Sequence, residues 1–142
     1  MLFAAALSIL LVACSTFVHY EALQICSALL PRLKFVTRRA KVLVAMASAM
    51  GSHALQIGMF ALAYFLLQDG ARLGSLHGAI SDAFSGFLYF STETYTSLGL
   101  GDVFPIGDIR LVAGIESLTG LLMISWTASF TYLEMTRYWR DR

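Results

Sequence analysis

The sequence predicts an all-α membrane protein: three transmembrane helices, with a short re-entrant helix and a glycine-rich loop between the second and third. Three observations predict it. The 142 residues are 58% hydrophobic and only 13% charged, against about a quarter charged in a soluble domain. A soluble core of this size could not hide so much apolar surface, so lipid is the default solvent. Three stretches, 1–30, 42–67 and 110–135, are apolar and long enough to cross about 30 Å of hydrocarbon. Between the last two lies 81–95, too short to cross, followed by glycines at alternate positions, Gly99 and Gly101.

Residues 2–18 carry no charge, and the helix runs on to about residue 30, where Pro31 stops it. A cleaved signal peptide needs a basic start, and no Lys or Arg precedes Arg32. Leu11-Val12-Ala13-Cys14 has the form of a lipoprotein cleavage box, but the same missing start argues against it, so an uncleaved span is expected. Cys14 and Cys26 lie in this one apolar stretch and read as small fillers rather than a disulfide. His19 and Glu21 read as anchors of this span near its inner end.

Segment 31–41 holds Arg32, Lys34, Arg38, Arg39 and Lys41 and no acid, half of the chain's ten Lys and Arg. The positive-inside rule makes it a cytoplasmic loop, with the N-terminus outside and the C-terminus inside. A nucleic-acid patch does not fit beside two membrane spans. Segment 42–67 is a second span in which Ala45, Ala49, Gly51 and Gly58 allow close helix packing. Segment 68–80 reads as a wet extracellular loop. From 68 to 110 five acids face two bases, a bias that raises the local cation concentration. Ser81 or Asp82 is placed to cap the short helix 81–95. Its C-terminal end would turn a partial negative charge toward the membrane centre, which favours a cation.

The next residues are Thr96-Ser97-Leu98-Gly99-Leu100-Gly101-Asp102. Glycine at every second position opens backbone angles closed to other residues, so that carbonyls that normally alternate can all point one way. This run, with Glu93-Thr94 before it and Pro105, Arg110 and Gly120 after it, resembles the pore loop of the tetrameric potassium channel family, whose filter reads Thr-Val-Gly-Tyr-Gly-Asp in its best-known form. The resemblance covers roughly 80–135.

The residues themselves give an extra helix at 1–30, a basic cytoplasmic loop at 31–41 and a cytoplasmic tail at 139–142; the resemblance implies a pore domain at 42–138, with outer helix 42–67, pore helix 81–95, filter 96–102 and inner helix 110–135. It implies ion sites from Thr96 to Gly101, with K+ at the carbonyls of Ser97, Leu98, Gly99 and Leu100 and the Ser97 hydroxyl completing the innermost site. Glu93 and Asp102 would interact behind the filter, sharing a proton, with Tyr89 donating to Asp102. Serine keeps the usual hydroxyl but loses the stiffening β-branch. Leu100 lacks the tyrosine hydroxyl, and Phe90 would meet it with an apolar contact. A carboxylate dyad for catalysis is the competing idea for Glu93 and Asp102, but no nucleophile or metal-ligand spacing accompanies it.

Ionisable residues inside a membrane are functional candidates by default. At 1.5 Å rise per residue, His53 lies about 17 Å from the inner end of its helix and Glu116 about 9 Å from the outer end of its own. Gln56, a turn beyond His53, should then share a level with Glu116 and hydrogen-bond to it. His53 and Glu116 are candidates for gating or proton sensing, and Gly120 for a hinge or a packing contact.

The expectation is a potassium-selective homotetramer, conducting passively in a bacterial inner membrane. It is not an enzyme. It needs no cofactor beyond the permeant K+, and no nucleic acid or small-molecule substrate; its partners are itself and lipid. The alternatives are a weakly selective cation channel and a non-conducting interaction protein with a degenerate pore loop.

Overall fold

The computed structural model describes residues 1–79 and 83–139. Helix α1 runs Leu2–Leu29, α2 Arg38–Phe65, α3 Phe84–Tyr95 and α4 Ile109–Trp139; strand β1 is Gly74–Gly78 and β2 Val103–Gly107. The three long helices are each apolar and long enough to cross a membrane, and α3 is not.

Pro31 sits in a 3-10 turn, Leu30–Arg32, that ends α1. The basic segment is only partly a loop. Thr37 caps α2 by accepting from the Ala40 N–H at 3.3 Å, and with no proline or glycine to stop it the helix takes in Arg38, Arg39 and Lys41. The second span therefore starts at Arg38 rather than 42. Lys41 lays its ammonium over the Tyr138 ring, 5.3 Å from the centroid. At its other end α2 widens into a π-type turn, Leu66–Gly70. Ser81 and Asp82, the expected caps of α3, lie outside the described residues; the helix starts at Phe84 with Ala83 at its N-cap position.

The pair of strands was not legible in the sequence. β1 and β2 pair antiparallel across α3, with Gly74 opposite Gly107 and Gly78 opposite Val103. Glycine is required at 78, where φ is +114° and a Cβ would lie 2.0 Å from the Asp102 carbonyl oxygen. The segment expected to be a wet loop thus closes over the end of the 96–102 run.

Two regularities give the bundle's topology. Contacts between α1 and α4 keep a sequence separation of 107 or 108, at Met1–Asp108, His19–Thr127 and Ser27–Glu134, so these helices run parallel. Contacts between α2 and α4 step in opposite directions, Tyr64–Glu116, His53–Thr127, Lys41–Tyr138, so these run antiparallel. The interior has three levels. An apolar core from Ala4 and Leu11 through Phe60, Phe87, Phe90 and Val112 fills one end. Cys26, Leu30 and Ala45 pack with Phe130 and Tyr138 at the other. A polar layer lies between. Cys14 and Cys26 are both free thiols.

Candidate functional site

Helix α3 stops at Tyr95, and Thr96 folds its hydroxyl back to the Thr92 carbonyl at 2.8 Å. From there the backbone alternates in hand. Ser97, Gly99 and Gly101 have φ of +57°, +55° and +81°, while Leu98 and Leu100 are not among the positive-φ residues. Three successive N–H groups point back at one residue: Leu98 and Gly99 donate to the Glu93 carbonyl at 2.9 and 3.4 Å, and Leu100 donates to the Glu93 carboxylate at 3.1 Å. In a trans peptide the carbonyl opposes the N–H, and no peptide here is cis. The carbonyls of Ser97, Leu98 and Gly99 therefore face one side, away from α3. This is the orientation that the alternate glycines predict.

The side chains around the run differ from expectation in three places. The Ser97 hydroxyl is bonded to that of Ser117 on α4, at 2.8 Å; that bond holds a non-glycine residue at positive φ. Glu93 spends its carboxylate on the Leu100 N–H, not on Asp102. Asp102 accepts instead from Tyr89 at 2.9 Å, as expected of that tyrosine, and the bond holds the phenol above its ordinary range. Phe90 does not meet Leu100. It packs edge-on against Tyr64, centroids 5.1 Å apart, and Leu100 is left 61% exposed on this single chain.

The expected Gln56–Glu116 bond does not form. Glu116 is fully buried and held by the Tyr64 hydroxyl and by Ser91. Gln56 lies in the polar layer with Ser52, His53, Tyr95 and Thr127. His19, read as an interfacial anchor, is there too, fully buried, with its ring 5.1 Å from that of His53. The sequence signal was available: a histidine in an apolar span needs a partner, and α2 offers one. Gly120 presses on α3, where a Cβ would meet the Tyr95 carbonyl oxygen at 1.9 Å. This gives the glycine a packing role.

A family model described as "Ion channel" matches residues 53–136, more than half of the chain. The chain belongs to this ion channel family. A curated relative, the inward rectifier potassium channel Kirbac3.1 of Paramagnetospirillum magnetotacticum, is 32% identical over 88 residues, 61% of this chain. The match spans only 28% of that protein's length. No solved structure matches. The family match begins at His53, so α1 and the first half of α2 lie outside the matched residues.

Within the shared part, Glu116 joins three helices of the channel fold, and hydrogen counting fixes its state. Ser91 Oγ lies 2.8 Å from the Ile57 carbonyl and 2.5 Å from Glu116 Oε1. A hydroxyl has one proton. It goes to the Ile57 carbonyl, which only accepts, so the bond to Glu116 carries the carboxyl's own proton. The Tyr64 hydroxyl donates to the other oxygen. Glu116→Gln reproduces this pattern, amide nitrogen to Ser91 and amide oxygen from Tyr64, and should leave the thermal midpoint in detergent near wild type. Glu116→Ala leaves the buried Tyr64 hydroxyl without its partner and opens a cavity, and should cost about 3 kcal/mol. Equal loss in both variants would show that the carboxyl is ionised.

Proposed function

We propose that four copies of this chain form a potassium-selective channel, with the 96–102 run of each lining one wall of the pore. One observation carries the reading: the carbonyls of Ser97, Leu98 and Gly99 turn to the same side. A ring of carbonyl oxygens can replace the water shell of a bare cation, and one chain supplies only a quarter of such a ring. The name of the bacterial relative, a potassium channel, supports the choice of ion. Conduction is passive, and no catalysis is involved. The C-terminal end of α3 points its carbonyls toward the same region, adding a favourable field for cations. The basic residues near the α1–α2 turn favour a cytoplasmic position for that end, in a bacterial inner membrane.

A second reading, weak selectivity among cations, has its own observations. Leu100 is exposed and lacks a hydroxyl, and the Ser97 hydroxyl is committed to Ser117 rather than turned to an ion. The two separate in liposomes holding the purified chain under a potassium gradient, then a matched sodium gradient, with barium as blocker. Potassium flux stopped by barium, with sodium flux at least tenfold lower, supports the first. Equal fluxes support the second. A tetramer absent by mass, with no flux, would leave a non-conducting membrane protein.

A further inference from the structure

We propose that α1 is a working part of the conduction unit, because His19 completes a one-way ring of five hydrogen bonds that holds Tyr95, the residue from which the carbonyl run departs. The proposal rests on the potassium-channel reading above. It concerns a helix that lies before the residues the family model matches.

The ring passes through all four helices. Gln56 Nε2 lies 3.3 Å from His19 Nδ1. His19 Nε2 lies 3.3 Å from Thr127 Oγ1, and that hydroxyl lies 2.9 Å from His53 Nε2. His53 Nδ1 lies 2.9 Å from the Tyr95 hydroxyl, which lies 3.0 Å from Gln56 Oε1. A neutral imidazole has one donor and one acceptor, and a hydroxyl has one proton. Ser52 sets the direction: Gln56 Nε2 is 3.2 Å from the Ser52 carbonyl, which can only accept, and the Ser52 hydroxyl, 3.1 Å from Gln56 Nε2 and 3.2 Å from His19 Nδ1, offers a parallel link between the same two nitrogens. The amide nitrogen therefore faces His19, whose Nδ1 accepts and whose Nε2 donates to Thr127. Thr127 donates to His53 Nε2. His53 Nδ1 donates to Tyr95, and Tyr95 donates to Gln56 Oε1. The circuit closes with each ring donor given one acceptor. Running it backwards would set the Gln56 oxygen against the Ser52 carbonyl. His19 is thus the Nε2–H tautomer and His53 the Nδ1–H tautomer.

Only two neutral imidazoles fit. A proton added to His19 goes to Nδ1, where it meets the amide hydrogens of Gln56. A proton added to His53 goes to Nε2, where it displaces the proton of Thr127. Either opens the ring and puts a cation beside a second imidazole. The other titratable groups facing the ring are Tyr95 itself on α3, Glu116 on α4 with Tyr64 of α2 behind it, and Tyr20 of α1 against Trp126, whose indole packs on His19. Tyr95 is gripped twice, its hydroxyl by the ring and its carbonyl by Gly120. Opening the ring releases the hydroxyl and loosens the origin of the run.

Thr127→Val keeps the shape of the side chain and removes the bridging hydroxyl; Thr127→Ser restores the hydroxyl. Two measurements on the full chain in liposomes test the proposal. The first is nitrogen-15 NMR of the imidazoles, with His77→Asn to leave only the two ring histidines. The second is potassium flux. Expected are opposite tautomers at 19 and 53 with both imidazoles neutral. Thr127→Val should lower the flux about fivefold or more, the scale of an ordinary coupling between sites, and Thr127→Ser should restore it. Identical tautomers, or wild-type flux in Thr127→Val, overturn the proposal. Opposite tautomers in a chain that carries no flux at any pH would instead overturn the conduction reading, and with it the claim on α1, leaving the ring in place.

Discussion

Gly120→Ala should lower the stability of the fold by about 2 kcal/mol, while Gly114→Ala, two turns earlier on the same helix, should leave it equal or raise it by up to about 1 kcal/mol. The two substitutions gain the same helix propensity, so their difference isolates packing. At Gly114 a Cβ meets nothing within 4 Å. At Gly120 it would stand 1.9 Å from the Tyr95 carbonyl oxygen and 2.8 Å from its carbon. Backbone atoms cannot rotate aside as a side chain would, so α4 must back away from α3. Overpacking of this kind costs about 1–3 kcal/mol, here at the upper end, offset by about 1 kcal/mol of propensity. Thermal unfolding in detergent measures both. A hinge glycine makes the opposite prediction, altered gating at unchanged midpoint. Coincident melting of wild type and Gly120→Ala would sink the packing account.

The displaced partner gives the result a functional side. Tyr95 is the last residue of α3, and its carbonyl rests where α4 comes closest. A methyl group at 120 pushes on the origin of the 96–102 run, so reduced flux should accompany reduced stability.

What could be read from the sequence follows from what each signal encodes. Length and apolarity fix how many helices cross a membrane, and all three spans were legible. Alternate glycines encode backbone hand, and positive φ at Gly99 and Gly101 followed, as did the Tyr89–Asp102 bond. Depth along a helix was less secure. Gln56 and Glu116 were set level by counting from 42 and 110, but α2 begins at Arg38 and pairs with α4 so that Glu116 meets Tyr64. The error is about two turns, or ~12 Å at 1.5 Å per residue. A basic run does not say where loop ends and helix begins. Rotation about the axis was not legible either. His19 was set as an anchor near the inner end of its span, whereas it lies in the mid-bundle layer against His53, because which side of α1 turns inward is decided by α2 and α4 together. The β1–β2 pair joins segments separated by the whole of α3, and its glycines at 74, 78 and 107 look like loop composition until the partner strand is known.

Gly99→Ala should reduce potassium flux more than tenfold and leave assembly and thermal midpoint nearly unchanged. Gly99 has φ +55°, and a Cβ there would meet nothing within 4 Å. There is no clash to unfold the protein, so the whole effect comes from backbone preference, about 1–2 kcal/mol against the left-handed region for a residue with a Cβ. A loss of that size is small against the stability of a bundle. It is large against the balance that keeps one peptide plane from turning over. Gly99 has little to resist the turn, since its N–H is held by a long 3.4 Å bond to the Glu93 carbonyl. Ser97 shows what resistance takes: it holds φ +57° with its hydroxyl tied to Ser117, and alanine has nothing to tie. If the plane between 98 and 99 turns over, the Leu98 carbonyl leaves the shared side, and in the proposed tetramer a neighbouring ion site would lose one oxygen in every subunit at once. In that assembly, fourfold repetition is why a modest local preference should give a large change in flux. Flux in liposomes, with mass and melting of the same preparation, makes the test. Wild-type potassium flux in Gly99→Ala would show that ions do not pass along these carbonyls.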